Sequence, residues 1–376
     1  MKHESLLTWE AVGILVGTII GAGILGIPYV ITKAGFWTGI IDILGLGFVV
    51  LLLYMYLGEV TLRTKGFHQL PGYAEKYLGR TGKAAMTFAM VFGSYGALIA
   101  YIIGVGASLA AIFGGDSVIY SLGFFVITAI IVLIGLKAVV KSESFMLPLV
   151  VLVIAFVVFV SFKYADLSNF NTFDITRILI PYGVILFAFL GAPAIPEMRE
   201  VLIKNEKIMK KSILIGVAIP IIAYLLFAIA VIGVTGASTT EIATIGLGSV
   251  VGEYMVIIGN LLAFITMTTS FLTLGLALKD AYRYDYGINK NLAWALACFI
   301  PLVIAMSGIM TFIKIITLAG VISGGIEGTA IVLMALKAKK HGNRKPEYSL
   351  PMNRFIATLI IAVFVLGAGY YLWSII

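Results

Sequence analysis

Charge is scarce in this sequence. Asp, Glu, Lys and Arg together make up 12% of the 376 residues, about half the share found in a soluble domain. There is one cysteine, Cys298, and it lies in an apolar run, which excludes an internal disulfide and leaves a buried, inert thiol as its reading. The three histidines, His3, His68 and His341, all fall outside the apolar segments. No metal-ligand cluster and no nucleophile–base pair can therefore be assembled within those segments, which argues against a membrane-embedded enzyme. The N-terminus carries no expected signal peptide: the first apolar run, Trp9–Ile31, is too long for an h-region and has no small-residue cleavage site after it.

What is present is hydrophobic: 61% of the residues, in stretches of roughly 20 that recur from end to end. Each is long enough to cross a bilayer as a helix, and too little polar sequence exists to cover them in water. The pattern predicts an all-α integral membrane protein with eleven transmembrane helices. They run over Trp9–Ile31, Phe36–Leu62, Ala84–Phe113, Val118–Leu136, Ser144–Phe162 and Ile178–Met198. The series continues with Ile208–Val234, Gly252–Leu278, Leu292–Met306, Phe312–Leu336 and Arg354–Ile375.

The net charge of +8 follows from this layout rather than from nucleic-acid binding. With the N-terminus in the cytoplasm, the alternation puts all but four of the 26 Lys and Arg on the inner side; the exceptions are Lys33, Lys163, Arg177 and Lys314. That is the bias of the positive-inside rule. It predicts a multi-pass protein of the cell membrane with its C-terminus extracellular, whose evident partners are lipid and a small substrate, with no obligate protein partner.

Two spans are interrupted by helix breakers. The first reads Gly17-Thr-Ile-Ile-Gly21-Ala-Gly23-Ile-Leu-Gly26-Ile-Pro28, and the sixth reads Phe187-Ala-Phe-Leu-Gly191-Ala-Pro193-Ala-Ile-Pro196-Glu197. Glycines at spacing four, Gly13, Gly17 and Gly21, also suit close approach of another helix. Proline, however, removes a helical N–H and clashes with the carbonyl four residues earlier. Unpaired backbone at membrane depth is tolerated only where it lines a cavity or binds something. The second lies five spans after the first, with four helices between them, so they run in opposite directions, as in transporters built from two inverted halves. Repeat one would cover residues 9–162 and repeat two residues 178–336, with 354–375 an extra helix. Such a site suits an α-amino acid: half-helix N-termini offer N–H groups to a carboxylate, and half-helix C-termini offer carbonyls to an ammonium.

At these residues the chain resembles the amino acid–polyamine–organocation superfamily. It is most similar to the amino acid/auxin permeases and to their bacterial relatives, the aromatic and hydroxy amino acid permeases. The resemblance is carried by Gly17–Pro28, by Tyr101-Ile-Ile-Gly104-Val-Gly106 and by Thr269-Ser270-Phe-Leu-Thr-Leu-Gly275, followed by Lys279-Asp280. It implies a five-plus-five inverted-repeat fold and a substrate site made of Ile19, Ala22, Gly23, Ile24, Tyr101, Phe187, Leu190 and Gly191. The carboxylate would meet the amides of Ala22, Gly23 and Ile24, and the ammonium the carbonyls of Ile19, Phe187 and Leu190. Where members of the family often have serine this chain has Ala22, so the carboxylate would rely on backbone or water. Phe187 is a candidate gate, and Tyr95 and Tyr101 are candidate pocket residues.

No cofactor is expected beyond a coupling ion. Sodium-coupled relatives imply a site of the carbonyls of Gly17, Ile20 and Thr266 with the hydroxyls of Thr269 and Ser270, although such hydroxyls often simply bond a carbonyl of their own helix. Glu327, in Gly324-Gly-Ile-Glu327-Gly328, points to a proton instead. A charge at a helix centre costs about 2.5–3.5 kcal/mol on insertion scales, a cost that falls when the carboxyl is protonated. Its alternative is a packing role. Glu10, Glu59, Glu197 and Glu253 stand near span ends and read as solvated or gating residues; Lys314 reads as snorkelling to water. The function expected is cation-coupled symport of a neutral, apolar or aromatic L-amino acid by alternating access, with protons favoured and sodium open. The rivals are a cation–proton antiporter, which would need aspartates at the breaks, and an ion channel, which would need a polar stripe or charged ring.

Overall fold

The computed structural model of the chain describes residues 2–241, 243–308 and 312–375. Fourteen α-helices and several short 3-10 turns account for the architecture, with no strand among the described residues. Among the described residues, seven helices are long and apolar enough to cross a membrane, or eight when the bent pair at the N-terminus counts as one span. The outward faces carry large apolar side chains: Ile119 and Ile127 on one helix, Phe159 and Phe162 on another, and Trp373 near the C-terminus are each more than 60% exposed. Exposed apolar side chains of this size and number fit a lipid surrounding rather than water.

The chain begins with α1 (Lys2–Ile19) and α2 (Gly23–Ala34), which meet at an angle of 51° across residues 20–22. Gly21 sits at the corner, and the ring of Pro28 further weakens α2 by leaving one carbonyl without a helical donor. Helix α3 (Phe36–Leu62) returns through the bundle. Helix α4 covers Leu70–Phe113, starting well before the expected Ala84, but Gly79 at φ +78° divides it into a short leading helix and the span proper. Only glycine takes that backbone angle without strain. Next come α5 (Ser117–Ile134) and α6 (Leu136–Phe162). Helix α6 begins eight residues before the expected Ser144, because Gly135 ends α5 and starts α6 in one turn.

The sixth apolar segment does not form one helix. It consists of α7 (Tyr182–Ala188) and α8 (Ala194–Val201), separated by five non-helical residues, and the expected first turn at residues 178–181 is a turn and a bend that follow the 3-10 turn Ile175–Arg177. Pro193 caps α8, where its missing N–H costs nothing. Helix α9 (Met209–Thr235) follows, then α10 (Ala243–Val251), α11 (Glu253–Asp280), α12 (Lys290–Met306), α13 (Phe312–His341) and α14 (Arg354–Ile375). Helix α11 runs into a π-helical turn at Ala281–Asp285. The side chain of Lys314 lies outside the described residues.

Helices α1, α2, α7 and α8 occupy the interior, with α3, α4, α9, α11 and α13 around them. The middle of the interior helices is buried: α7 is wholly buried, α2 exposes only Lys33 at its end, and α1 is buried from Ala11 to Ile19. At one face of the bundle the basic loops converge; at the other, the segment 163–181 is laid over the start of α3. There Phe36 N–H donates to Thr172 Oγ1 at 2.8 Å and Thr38 Oγ1 to Asp174 O at 3.0 Å.

Candidate functional site

Both helix interruptions open on one cavity. Its walls are Thr18, Ile19, Gly21 and Gly23 from the first break, Phe187, Leu190 and Pro193 from the second, and Gly93, Ser94, Ala97 and Tyr101 from α4, completed by Leu274 on α11 and Glu327 on α13. Its volume is about 20 Å³, enough for roughly one water molecule. The closed form therefore has no room for an amino acid until its walls move.

The two breaks differ in what they leave unpaired. Past the first, the amides of Ala22, Gly23 and Ile24 donate to no acceptor among the described residues. They form the N-terminus of a 12-residue helix, where free N–H groups and the helix dipole favour an anion. Past the second, the amides of Ala194 and Ile195 are already held by the carbonyls of Gly191 and Ala192 at 3.0 and 3.1 Å. The anion-attracting end is thus the start of α2 and not the start of α8.

The carbonyls are also unequal. Ile19 O accepts from Gly21 N–H at 2.9 Å and from Tyr224 Oη at 2.7 Å, so both its lone pairs are engaged. Phe187 O accepts from Leu190 N–H at 3.0 Å. Leu190 O meets no donor among the described residues. Of the three carbonyls expected to receive an ammonium, Leu190 alone is open in this form, and Ile19 becomes so only if Tyr224 yields.

Close packing fixes the glycines of the breaks. A Cβ on Gly23 would stand 2.5 Å from Ala188 Cβ and 2.6 Å from its Cα, so α2 and α7 touch backbone to backbone. A Cβ on Gly21 would stand 2.7 Å from both Ser270 Oγ and Tyr101 Oη. A Cβ on Gly191 would meet Ile19 Cγ1 at 2.6 Å.

Around the expected ion position the hydroxyls divide. Ser270 Oγ crosses from α11 to α1 and donates to Gly17 O at 2.7 Å, with Thr18 O at 3.2 Å. Thr269 Oγ1 donates within its own helix to Thr266 O at 2.8 Å. The carbonyls of Gly17 and Thr266 are therefore each satisfied by one of the two hydroxyls. Ile20, in the break, is buried.

Over residues 3–371 the sequence matches the tryptophan/tyrosine permease family. The chain belongs to that family. The permease is 28% identical over 317 residues to tyrosine-specific transport system 1 of Haemophilus influenzae, covering 77% of each chain. To glutamine transporter 2 of Aliivibrio fischeri it is 24% identical over 327 residues, covering 82% of this chain and 83% of that one. Among solved structures it is similar to that of MhsT in complex with L-phenylalanine, with a TM-score of 0.70 and 15% identity over 96% of both chains. At that identity the likeness speaks for the fold.

Several residues that organise the permease's cavity carry no motif in the sequence. Tyr54 on α3 donates to Phe189 O at 2.6 Å and accepts from Gly191 N–H at 2.5 Å, satisfying both sides of the second break. Tyr224 on α9 reaches Ile19 O and Ala188 O, each at 2.7 Å, bridging the last turns of α1 and α7. A tyrosine in a long apolar helix looks like any other packed ring, which is why these two escape a sequence reading. Asp42, buried in α3 with Oδ2 lacking a partner among the described residues, was legible as an acid well inside an apolar run.

Three expectations are corrected. Tyr95 does not line the cavity: its hydroxyl donates to Leu296 O at 2.9 Å and lies 3.0 Å from Tyr282 Oη, in the contact between α4 and α12. Glu59 is not solvated but 3% exposed, held by Lys339 at 2.9 Å, Arg63 at 2.8 Å and the amide of Leu350 at 2.8 Å. Glu197 is likewise buried, at 2% exposure. Glu59 belongs to a wider closure of the basic face. Arg199 at the end of α8 donates to Glu206 at 2.9 Å and to Gly66 O at 3.0 Å, while Arg344, from the loop after α13, pairs with the same Glu206 and donates to Leu62 O at 3.0 Å.

Proposed function

We propose that the chain is a secondary active transporter that carries a neutral aromatic amino acid across the cell membrane by alternating access. One observation carries this reading: the unpaired amides of Ala22, Gly23 and Ile24 stand at the start of α2, where Gly23 lines the same cavity as Phe187 and Leu190 of the second break. An α-carboxylate at the start of α2 and an ammonium toward Leu190 O, joined by Ile19 O once Tyr224 moves aside, satisfy both ends of one zwitterion. Ala22 contributes no side-chain donor, so recognition of the carboxylate rests on main chain. Aromatic substrates fit the apolar and ring-bearing walls, Ala97, Leu274, Tyr101 and Phe187, and accord with relatives named for tyrosine.

The small volume of the closed cavity supports a cycle in which Phe187 and the helices around it move to admit substrate. The transmembrane arrangement is eleven spans, with α1–α2 and α7–α8 each one broken span, repeats over 9–162 and 178–336, and α14 added. Reciprocal use of the two tyrosines supports the repeat: the helix after each broken span sends one hydroxyl to the other's interruption. The basic loops converging at one face support an inner location for that face, the N-terminus inside and the C-terminus outside.

Coupling is to protons, with Glu327 as the carrier. It is 5% exposed, opens on the substrate cavity, and has no ion-pair partner among the described residues. A carboxyl in that position takes up a proton with the substrate and loses it when the cavity opens to the other side. Sodium is the second reading, favoured by Ser270 and Gly17 meeting between α1 and α11. Uptake of labelled tyrosine into proteoliposomes, under an imposed pH gradient or an imposed sodium gradient, tests the whole reading. Accumulation driven by the pH gradient alone supports it; absence of amino acid uptake under either gradient refutes it.

A further inference from the structure

Glu327 faces the cavity from a direction that the zwitterion does not use. The main-chain groups that would hold the carboxylate and ammonium come from the two breaks. The remaining wall is made by Gly93, Ser94, Ala97 and Tyr101 on α4, Leu274 on α11 and Glu327 on α13. An amino acid held by both breaks has only this wall left for the end of its side chain. Its polar side chains are Ser94, Tyr101 and Glu327, and no protein donor is directed to the Glu327 carboxyl among the described residues. Its oxygens are left to whatever enters the cavity.

We infer that Glu327 is a specificity residue, whose carboxyl accepts the hydrogen bond of a neutral side chain ending in an O–H or N–H donor, such as a phenol or an indole. The inference rests on the substrate site proposed above. A carboxyl accepts through an oxygen lone pair whether or not it carries a proton, so this role and proton carriage coexist. A substrate without the donor leaves the carboxyl buried and unpaired, and that asymmetry is what discriminates. Leaving such a buried acceptor unmet costs about 1–3 kcal/mol, or about fivefold to a hundredfold in affinity.

The test is substrate exchange in proteoliposomes with no ion gradient, which reads binding and translocation without coupling. Labelled tyrosine is competed with tyrosine, phenylalanine, 4-fluorophenylalanine and lysine. For the wild type, tyrosine competes at least fivefold better than phenylalanine or 4-fluorophenylalanine, the latter nearly matching tyrosine in size but lacking the donor. In Glu327→Leu the ratio falls to about one; in Glu327→Gln, whose amide carbonyl still accepts, tyrosine keeps a preference. Equal competition by 4-fluorophenylalanine and tyrosine in the wild type overturns the inference, and that arm needs no variant to fold. So does an unchanged ratio in a monodisperse Glu327→Leu protein, or stronger competition by lysine than by tyrosine. Failure of the wild type to exchange any amino acid is a different outcome, and would refute the substrate site itself.

Discussion

Tyr54 and Tyr224 satisfy the backbone of the two helix interruptions from opposite sides. Tyr54 bonds Phe189 O and Gly191 N–H; Tyr224 bonds Ile19 O and Ala188 O. Both rings are essentially fully buried, and without them Phe189 O, Gly191 N–H and Ala188 O would face apolar surroundings unpaired, while Ile19 O would keep only the Gly21 amide. An unmet buried polar group costs about 1–3 kcal/mol. The breaks persist because two side chains from neighbouring helices replace the hydrogen bonds that the helices gave up.

Tyr224 also sits where a substrate ammonium would compete for Ile19 O. Tyr224→Phe frees that carbonyl but strands Ala188 O. We expect the substitution to lower thermal stability by a few degrees and to change tyrosine affinity by about fivefold or more. Tyr54→Phe, which touches the second break only, should cost stability with a smaller effect on affinity. Unfolding temperatures with and without tyrosine separate the two.

Gly23 tests the contact between α2 and α7. The added Cβ of Gly23→Ala would lie within 2.6 Å of Ala188 backbone, a distance that only backbone movement relieves. Transport should be lost in a protein that still reaches the membrane. Gly45, where a Cβ would meet nothing within 4 Å, is the matched control, and Gly45→Ala should transport normally.

The pair Thr269 and Ser270 divides by geometry. Ser270 links α11 to α1, whereas Thr269 bonds only its own helix. Ser270→Ala should therefore reduce uptake several-fold in any medium, and Thr269→Ala should be nearly silent when protons drive transport. Uptake measured in sodium and in choline buffers checks this. A loss in Thr269→Ala confined to sodium buffer would instead favour an ion site between these helices.

Closure of the basic face hangs on a few buried charges. Breaking such a network by removing one member is costly, because its partners stay buried. Arg199→Ala should bias the permease toward opening on that face. Ala97→Cys, placed in the cavity wall, should then react several-fold faster with a thiol reagent from that side; the native Cys298 is buried.

How much of this was legible in the sequence differs from residue to residue. Apolar runs gave the long helices to within a few residues, since length and hydropathy are local properties. Gly21 and Pro193 marked segments where a helix is expensive, and α1 and α7 stop within a few residues of them. The early starts of α4 and α6 were hidden because residues 70–83 and 136–143 carry Glu75, Lys76, Arg80, Lys83, Lys137, Lys141 and Glu143, so hydropathy does not extend the spans over them although the backbone is helical. Tyr54, Tyr224 and Glu59 act through partners more than 100 residues away, and no local pattern announces such a contact. Glu327 was visible as a misplaced charge, but its position on the substrate cavity comes from packing of α13 against α4.

The most direct test is a structure of the permease with L-tyrosine bound. The account predicts the α-carboxylate within hydrogen-bond distance of the Ala22 and Gly23 amides, and the ammonium at Leu190 O with Ile19 O released by Tyr224. Tyrosine bound elsewhere, or residues 19–23 wound into continuous helix with their amides paired, would contradict it.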